Sequence, residues 1–572
     1  VDARLEAQAS AWRSMANESC MATRVRGEQS EQLLDLRAAC LDARRRELVS
    51  VTGVLKSADA EVAREAVRVL DALGPVEACA DIAGLQQAVP PPDDTELRAE
   101  VEQLRARLSD ADALGRAGKY DDALALVLPV VERAGAIDYP PLVAEAGYAH
   151  GYLQDKRGES AAAEHTLAAA GLLAARHRHD TIAARALADT VFVIGAQLGR
   201  TDEGLIWARH AEAAADRTGD PLAQAKLFNI RGLVFSTAGR FGEAEQDLLR
   251  ALEIRERELG EQHLDVSGSL SNLAGVLEAQ GRDLEAVATY ERAKAIDLAL
   301  VGPDHPRVGA VLTNSAKVLL EVGRTDEALA AARRAEAIFR ATLPPGHPNL
   351  AAAVGNVASA LWMKDDFVGA LAAASEQLRI DEERLGPDHP ELAIAHHNLG
   401  VIADDSGDPQ RARVHFERSI VLYERNFGPE HPELAGSLNS LGALAAKSGA
   451  TAEARDHHRR AIAILEKAGL VDRIELALAS RSLGRELQQL GDEAGALAAY
   501  QRALEVFSGR PDWANRKAET RLLIAQLRDA QGDRVSALAL ARTALAECPQ
   551  GDTKELARIR DQLAAWGEPP GR

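Results

Sequence analysis

The sequence predicts an all-α solenoid of about eleven stacked helix pairs, preceded by a helical module. Three observations carry this. A short phrase, made of a helix end, a glycine turn and a new helix, returns eleven times from Gly118 to Ala537 at intervals of 40 to 42 residues. A fixed period of that length is the mark of a repeat array, because each unit can bury its apolar face only against the next. No stretch alternates as a strand would, and apolar residues recur at helical spacing. Alanine supplies much of the apolar surface while aromatics make up only 4% of the chain, a composition that favours helix formation and close helix packing.

Residues 1–88 lie outside the period and read as a compact helical module. Apolar positions recur through Leu33, Leu34, Leu36, Ala39 and Cys40, and again through Val62, Ala66, Val69, Leu70 and Leu73. The arginine run 44–46 is expected to face solvent. Residues 89–94, with Pro90, Pro91, Pro92, Asp93 and Asp94, stop any helix and form a linker. The array then occupies 95–566, and 567–572 form a disordered tail.

In the clearest repeat, Pro306 opens helix A, which runs to about Glu321, Gly323 makes the turn, and helix B runs from about Thr325 to Ala341. Proline suits a first helical turn, where its missing N–H costs nothing, and glycine takes the left-handed conformation that closes a helix. Five residues after the turn stand Ala123, Ala163, Gly204, Ala244, Ala286, Ala328, Ala370, Ala412, Ala454, Ala496 and Ala537, ten alanines and one glycine. Seven residues before it, the best repeats carry Gly232, Ala274, Ala316, Ala358, Gly400, Gly442 and Gly484. Two small sites per repeat allow helices A and B to cross closely.

The small, small, aromatic spacing (Ala274, Ala286, Tyr290; Gly400, Ala412, Phe416; Gly484, Ala496, Tyr500) resembles the tetratricopeptide repeat. The period here exceeds the family's common 34 residues by about eight, roughly one extra helical turn on each helix. A G-P-x-H-P linker before helix A, standing as GPDHP (302–306), PPGHP (344–348), GPDHP (386–390) and GPEHP (428–432), with GEQHL (260–264) as a weaker copy, is similar to the 42-residue repeats of kinesin light chains and many bacterial regulators. That resemblance implies a right-handed solenoid whose A helices line a concave groove. The N-terminal module, through Trp12, Cys20, RGEQS (26–30), LLDLRAACLDARRREL (33–48) and Cys79, resembles the stretch between kinase domain and repeats in bacterial serine/threonine protein kinases of the myxobacterial type. This implies a regulatory or docking half of a signalling kinase, with a kinase domain upstream in the parent protein.

The formal charge of −20 sets aside nucleic acid and anionic membranes as partners, since phosphate contacts need clustered Lys and Arg. No membrane span is expected, because the longest uncharged run, Ala341 to Met363, is broken by Pro344, Pro345, Gly346 and Pro348. A cytoplasmic location is the expectation, with an extracytoplasmic one if an anchor precedes Val1. Of the four cysteines, Cys20, Cys40, Cys79 and Cys548, no pair has metal spacing. Buried free thiols are expected, with a disulfide stapling the N-terminal helices as the alternative.

No catalysis is expected. The chain has no Gly-rich nucleotide loop, no catalytic H-R-D loop and no Walker sequence, and Asp366-Phe367-Val368 lacks the glycine of a D-F-G. No cofactor and no metal are expected either. The ladder His263, His305, His347, His389 and His431 is spaced at one repeat, so equivalent rings stand about 9–10 Å apart, whereas zinc needs each donor within about 2.1 Å. A structural role ahead of helix A is the reading. His396 falls at a core position.

A second ladder, Asn272, Asn314, Asn356 and Asn398, is also spaced at 42. It lies on a face of helix A distinct from the apolar face at Leu270, Leu273, Ala274 and Leu277. The tetratricopeptide resemblance implies that these amides line the groove, where a group that both donates and accepts suits an extended peptide backbone. Lys317, Glu321, His397 and Asp405 share that face, and together with Trp362 would add selectivity. The alternative is that the asparagines cap or bridge adjacent A helices. The sequence therefore points to a non-catalytic scaffold that binds a protein or peptide segment.

Overall fold

The structure is a computed structural model that describes residues 1–87, 89–509, 513–549 and 552–568. Position 88 at the end of the expected module and 569–572 of the expected tail lie outside the described residues. The chain forms two compact units, residues 1–323 and 324–572.

The first unit opens with α1 (Asp2–Cys20), which runs into a π-helical turn, followed by α2 (Glu31–Lys56), α3 (Ala60–Arg64), α4 (Ala66–Val69) and α5 (Ile82–Gln87). Ser30 caps α2 by accepting the Leu33 N–H at 3.2 Å, and Asp59 caps α3 by accepting that of Val62 at 2.9 Å. Such caps satisfy N–H groups that have no partner in the first helical turn. Helix pairs then alternate. They are α6 (Thr95–Arg116) and α7 (Tyr120–Ile137), α8 (Pro140–Lys156) and α9 (Ser160–Arg176), and α10 (Asp180–Val191, prolonged by a π-helical turn, Phe192–Gln197) and α11 (Thr201–Thr218). After them come α12 (Pro221–Thr237) and α13 (Phe241–Leu259), α14 (Leu264–Ala279) and α15 (Asp283–Val301), and finally α16 (Pro306–Glu321).

Val51, Val54, Val62, Val69 and Leu70 of the N-terminal helices are buried in one cluster with Ala113 and Ala117 at the end of α6. The module therefore covers the open end of the first pair, as a terminal cap of a stacked array must. Two sequence expectations are corrected here. Cys40 of α2 and Cys79 form a disulfide, with Cα atoms 5.6 Å apart. The chain doubles back after α4 and packs both residues beside Trp12, Leu41 and Val76, within the reach a disulfide requires. Cys20 is exposed and free, and Cys548 is the one buried free thiol among the described residues. In the arginine run only Arg45 faces solvent; Arg44 pairs with Glu47 at 2.9 Å and Arg46 with Glu102 of α6 at 2.5 Å.

The second unit opens with α17 (Thr325–Thr342). Its pairs are α18 (Pro348–Met363) and α19 (Phe367–Leu385), α20 (Leu392–Asp405) and α21 (Pro409–Phe427), α22 (Leu434–Lys447) and α23 (Thr451–Lys467), α24 (Ile474–Gln489) and α25 (Glu493–Ser508), and α26 (Ala514–Ala530) and α27 (Arg534–Glu547). A last helix, α28 (Thr553–Ala565), lays Leu556, Ile559 and Leu563 on α26 and α27 and closes that end. Among the described residues there is no strand, and no helix is long and apolar enough to cross a membrane.

The two small sites are where helices A and B meet. The ten alanines five after the turn are at most 1% exposed. Opposite them, a Cβ added to Gly400 would lie 2.5 Å from the Phe416 ring, one on Gly484 2.5 Å from Tyr500, and one on Gly442 2.7 Å from His458. In those repeats glycine makes room for a large partner. At Ala358 the partner position is itself small, Ala374, whereas the repeat with Ala274 keeps a large buried residue there, Tyr290. Asp365 occupies the turn position held elsewhere by glycine and takes the same left-handed conformation, φ 60. Asp366 caps α19 through the Gly369 N–H at 3.0 Å, a structural duty for the residue that imitates a D-F-G start.

Candidate functional site

Three of the five linker histidines, His263, His305 and His347, are helix caps. Nδ1 of His263, His305 and His347 accepts the backbone N–H two residues on, from Asp265, Arg307 and Asn349, each at 3.1 Å, and His389 does the same for Glu391 at 3.3 Å. His431 instead stacks on Phe427, ring centroids 4.6 Å apart. The ladder thus performs the structural task expected of it, by a mechanism in which imidazole replaces the usual Asp or Ser. Among the described residues no group of three or more His, Cys, Asp or Glu could hold a metal ion.

The A-helix face that carries the asparagines is polar and stitched from one A helix to the next. In the first unit Asn272 of α14 donates to Asn229 of α12 at 3.1 Å, and Lys317 of α16 pairs with Glu278 of α14 at 2.6 Å. Asn314 and Glu321 are exposed. In the second unit Trp362 Nε1 donates to Asp405 Oδ2 at 2.8 Å, Lys447 pairs with Asp404 at 2.6 Å, and His397 Nδ1 meets Ser437 Oγ at 3.1 Å. Asn356 is half-buried and Asn398 exposed. Of the expected residues, Trp362 and Asp405 are joined directly. The asparagines instead stand one per helix along the face, and Asn272 acts as the bridge that the structural alternative describes. Asn229 escaped the sequence reading because its repeat lacks the histidine linker that anchors the register.

In the second unit a cleft of ≈ 260 Å³ opens where α20, α22 and the start of α24 converge. His397 lines it, as do Ile394, Tyr423, Glu433, Arg473 and Glu475. Tyr423, Glu433, Arg473 and Glu475 went unnoticed in the sequence. A signal existed, since Glu391, Glu433 and Glu475 follow one another at 42 residues at the start of helix A.

Burial lowers the pKa of several histidines in this unit. Burial, the neighbouring His415 and Arg418 push the pKa of His396 down to about 4, and burial lowers that of His397. His396 is 7% exposed, and its Nδ1 lies 3.0 Å from Nδ1 of His415, whose pKa burial and Arg411 also lower. A lowered folded-state pKa means that protonation favours the unfolded chain, so this stabilisation is complete above the ordinary histidine pKa of about 6.5 and is lost as the pH falls toward 4. Taking the full chain from pH 7.5 to 4.5 is expected to cost about 2 kcal/mol at His396 alone, after discounting for partial solvent contact. Thermal melts of wild type and His396→Gln across that range check this; equal pH slopes in the two proteins would refute it. His458 is core rather than ligand, 1% exposed and 3.0 Å from Glu486 of α24.

Residues 222–297, 265–341, 349–425 and 405–467 match the family model described as tetratricopeptide repeat. These stretches therefore carry tetratricopeptide repeats, and among the described residues the chain is all-α, with helix pairs in a repeated pattern. No curated protein matches. Among solved structures, nearly identical TPR-like repeats assigned to a kinesin light chain of Podosopora anserina are 24% identical, with a TM-score of 0.33, over 36% of this chain and 98% of that one. The apo form of RapI is 14% identical over 67% of this chain and 98% of its own, with a TM-score of 0.48. A Rap protein complexed with Competence and Sporulation Factor is 15% identical over 67% and 99%, with a TM-score of 0.42.

Proposed function

We propose that this chain is a non-catalytic scaffold that holds an extended peptide or protein segment against the solvent-facing side of its A helices. The observation that supports this reading is the row of polar side chains at one-repeat spacing, with Asn314 and Asn398 exposed and Trp362 about one-third exposed. Exposed amides at regular spacing match the repeat of a peptide backbone without dictating its sequence. A preformed helical surface also avoids ordering costs on the scaffold side. Capture of protein from a lysate by the full chain, followed by titration of the captured partner, tests it. Asn314→Ala combined with Asn398→Ala is expected to weaken that partner by roughly tenfold, the loss of about two modest hydrogen bonds, while thermal unfolding stays within about 2 °C. A large loss of stability with binding intact would assign the amides to structure.

A second reading makes the chain the docking half of a bacterial serine/threonine protein kinase. It rests on the similarity carried by Trp12, Cys20, residues 26–48 and Cys79. The genomic sequence ahead of Val1 decides it: a kinase catalytic loop encoded there supports the reading, and a start codon at Val1 sinks it.

A further inference from the structure

The cleft of the second unit carries a charge that its own residues leave unbalanced. Arg473 faces Glu433 at 3.7 Å, so those two offset each other. Glu475, the first-turn acid of α24, has no ion pair among the described residues, and its Oε2 is buried without a hydrogen-bond partner. The Asn439 amide donates at 3.0 Å to the Glu475 main-chain carbonyl and so ties down the backbone that carries this carboxylate. His397, neutral because burial lowers its pKa, adds no positive charge. Ile394, 57% exposed, and Tyr423 contribute apolar wall.

We propose that this cleft is the selectivity pocket of the scaffold and receives one cationic side chain, arginine or lysine, of the bound segment. The proposal rests on the scaffold reading and names what that scaffold prefers. Three physical arguments favour a cation. The Glu475 carboxylate lines the cleft without an ion pair, and an incoming guanidinium or ammonium supplies the missing charge. Long basic side chains lay an apolar stem along apolar surface and keep the charged head on polar groups, which is the division between Ile394 and Tyr423 on one side and Glu475 on the other. The volume, ≈ 260 Å³, falls below the roughly 300–1,000 Å³ of sites for whole small molecules, yet holds about eight waters' worth of space. It suits a single side chain. A bare metal ion is disfavoured, since the cleft has one free carboxylate and no group of three metal-binding side chains among the described residues.

The test uses the full chain and four blocked pentapeptides, acetyl-Ala-Ala-X-Ala-Ala-amide, with X arginine, lysine, citrulline or norleucine. Binding is followed by ligand-observed NMR. The arginine and lysine peptides are expected to bind roughly tenfold more tightly than the citrulline and norleucine peptides, the effect of one charge-assisted hydrogen bond. Glu475→Gln is expected to erase that preference and leave citrulline unchanged. Equal binding of arginine and citrulline, absence of arginine binding, or a preference that survives Glu475→Gln would each overturn the proposal. If the variant does not fold, the comparison of arginine with citrulline on the wild-type chain still decides. A captured partner that is sensitive to the Asn314 and Asn398 substitutions but indifferent to Glu475→Gln would sink the cation pocket and leave the scaffold standing.

Discussion

Ala286→Glu is expected to melt the α14–α15 pair. Ala286 is fully buried where the two helices cross, as is Ala274 on α14. Glutamate there adds four heavy atoms beyond Cβ and places a carboxylate in the buried helix crossing. Burying an unpaired charge and overpacking a helix crossing together cost about 4 kcal/mol or more. Because a solenoid is a sum of repeat and neighbour terms, the damage should appear first as local opening. Hydrogen exchange is expected to show lost protection in α14 and α15 before the pairs farther along the chain. The effect carries its own pH signature. Burial raises the introduced carboxyl's folded-state pKa, so the penalty relative to wild type is largest at neutral pH and shrinks as the pH drops and the group becomes neutral. A variant with native exchange in α14 and α15 at pH 7 would refute the packing account.

Gly204→Ala has the second largest expected effect, and its sign runs against a simple rule. Ten of the eleven repeats carry alanine at this position, and glycine to alanine inside a helix ordinarily stabilises by about 1 kcal/mol. Here the new Cβ would fall 2.6 Å from Gly195 Cα and 2.9 Å from Gly195 N. Gly195 sits in the π-helical turn Phe192–Gln197 that prolongs α10, so the two backbones touch without an intervening side chain. No rotamer change relieves a clash with main chain. The substitution is expected to destabilise by about 2–3 kcal/mol net, read as a lower urea midpoint and faster exchange in α10 and α11. Ala244→Gly one repeat later is expected to be destabilising only by about the ordinary 1 kcal/mol of helix propensity plus the lost methyl contact. If Gly204→Ala is neutral or stabilising, the close approach at Gly195 is not a constraint.

Much of the fold was legible because its signals are local. Pro306–Glu321 and Thr325–Thr342 match the helices expected from a proline, a glycine and the small positions to within one residue. The histidine linker was recognisable as punctuation, although its chemistry, an imidazole nitrogen accepting a backbone N–H, needed coordinates. The candidate site was legible in part. Periodicity placed Asn314, Asn398 and Asp405 on one face, and the structure adds that Trp362 donates to Asp405. It did not indicate that Asn272 would be occupied by Asn229, because the bond joins two repeats whose linkers differ.

By itself the sequence determined the period, the helix pairs, their caps and the small residues at each crossing, since each depends on neighbours within one repeat. Tertiary structure decided the rest. The Cys40–Cys79 disulfide, the pairing of His458 with Glu486, the contact that requires glycine at 204 and the uncompensated carboxylate of Glu475 all arise where separate segments meet. Local propensity and spacing say which face a residue occupies. Only the approach of packed helices says what stands opposite it, and that opposing group sets whether a side chain is neutral, paired or left seeking a partner.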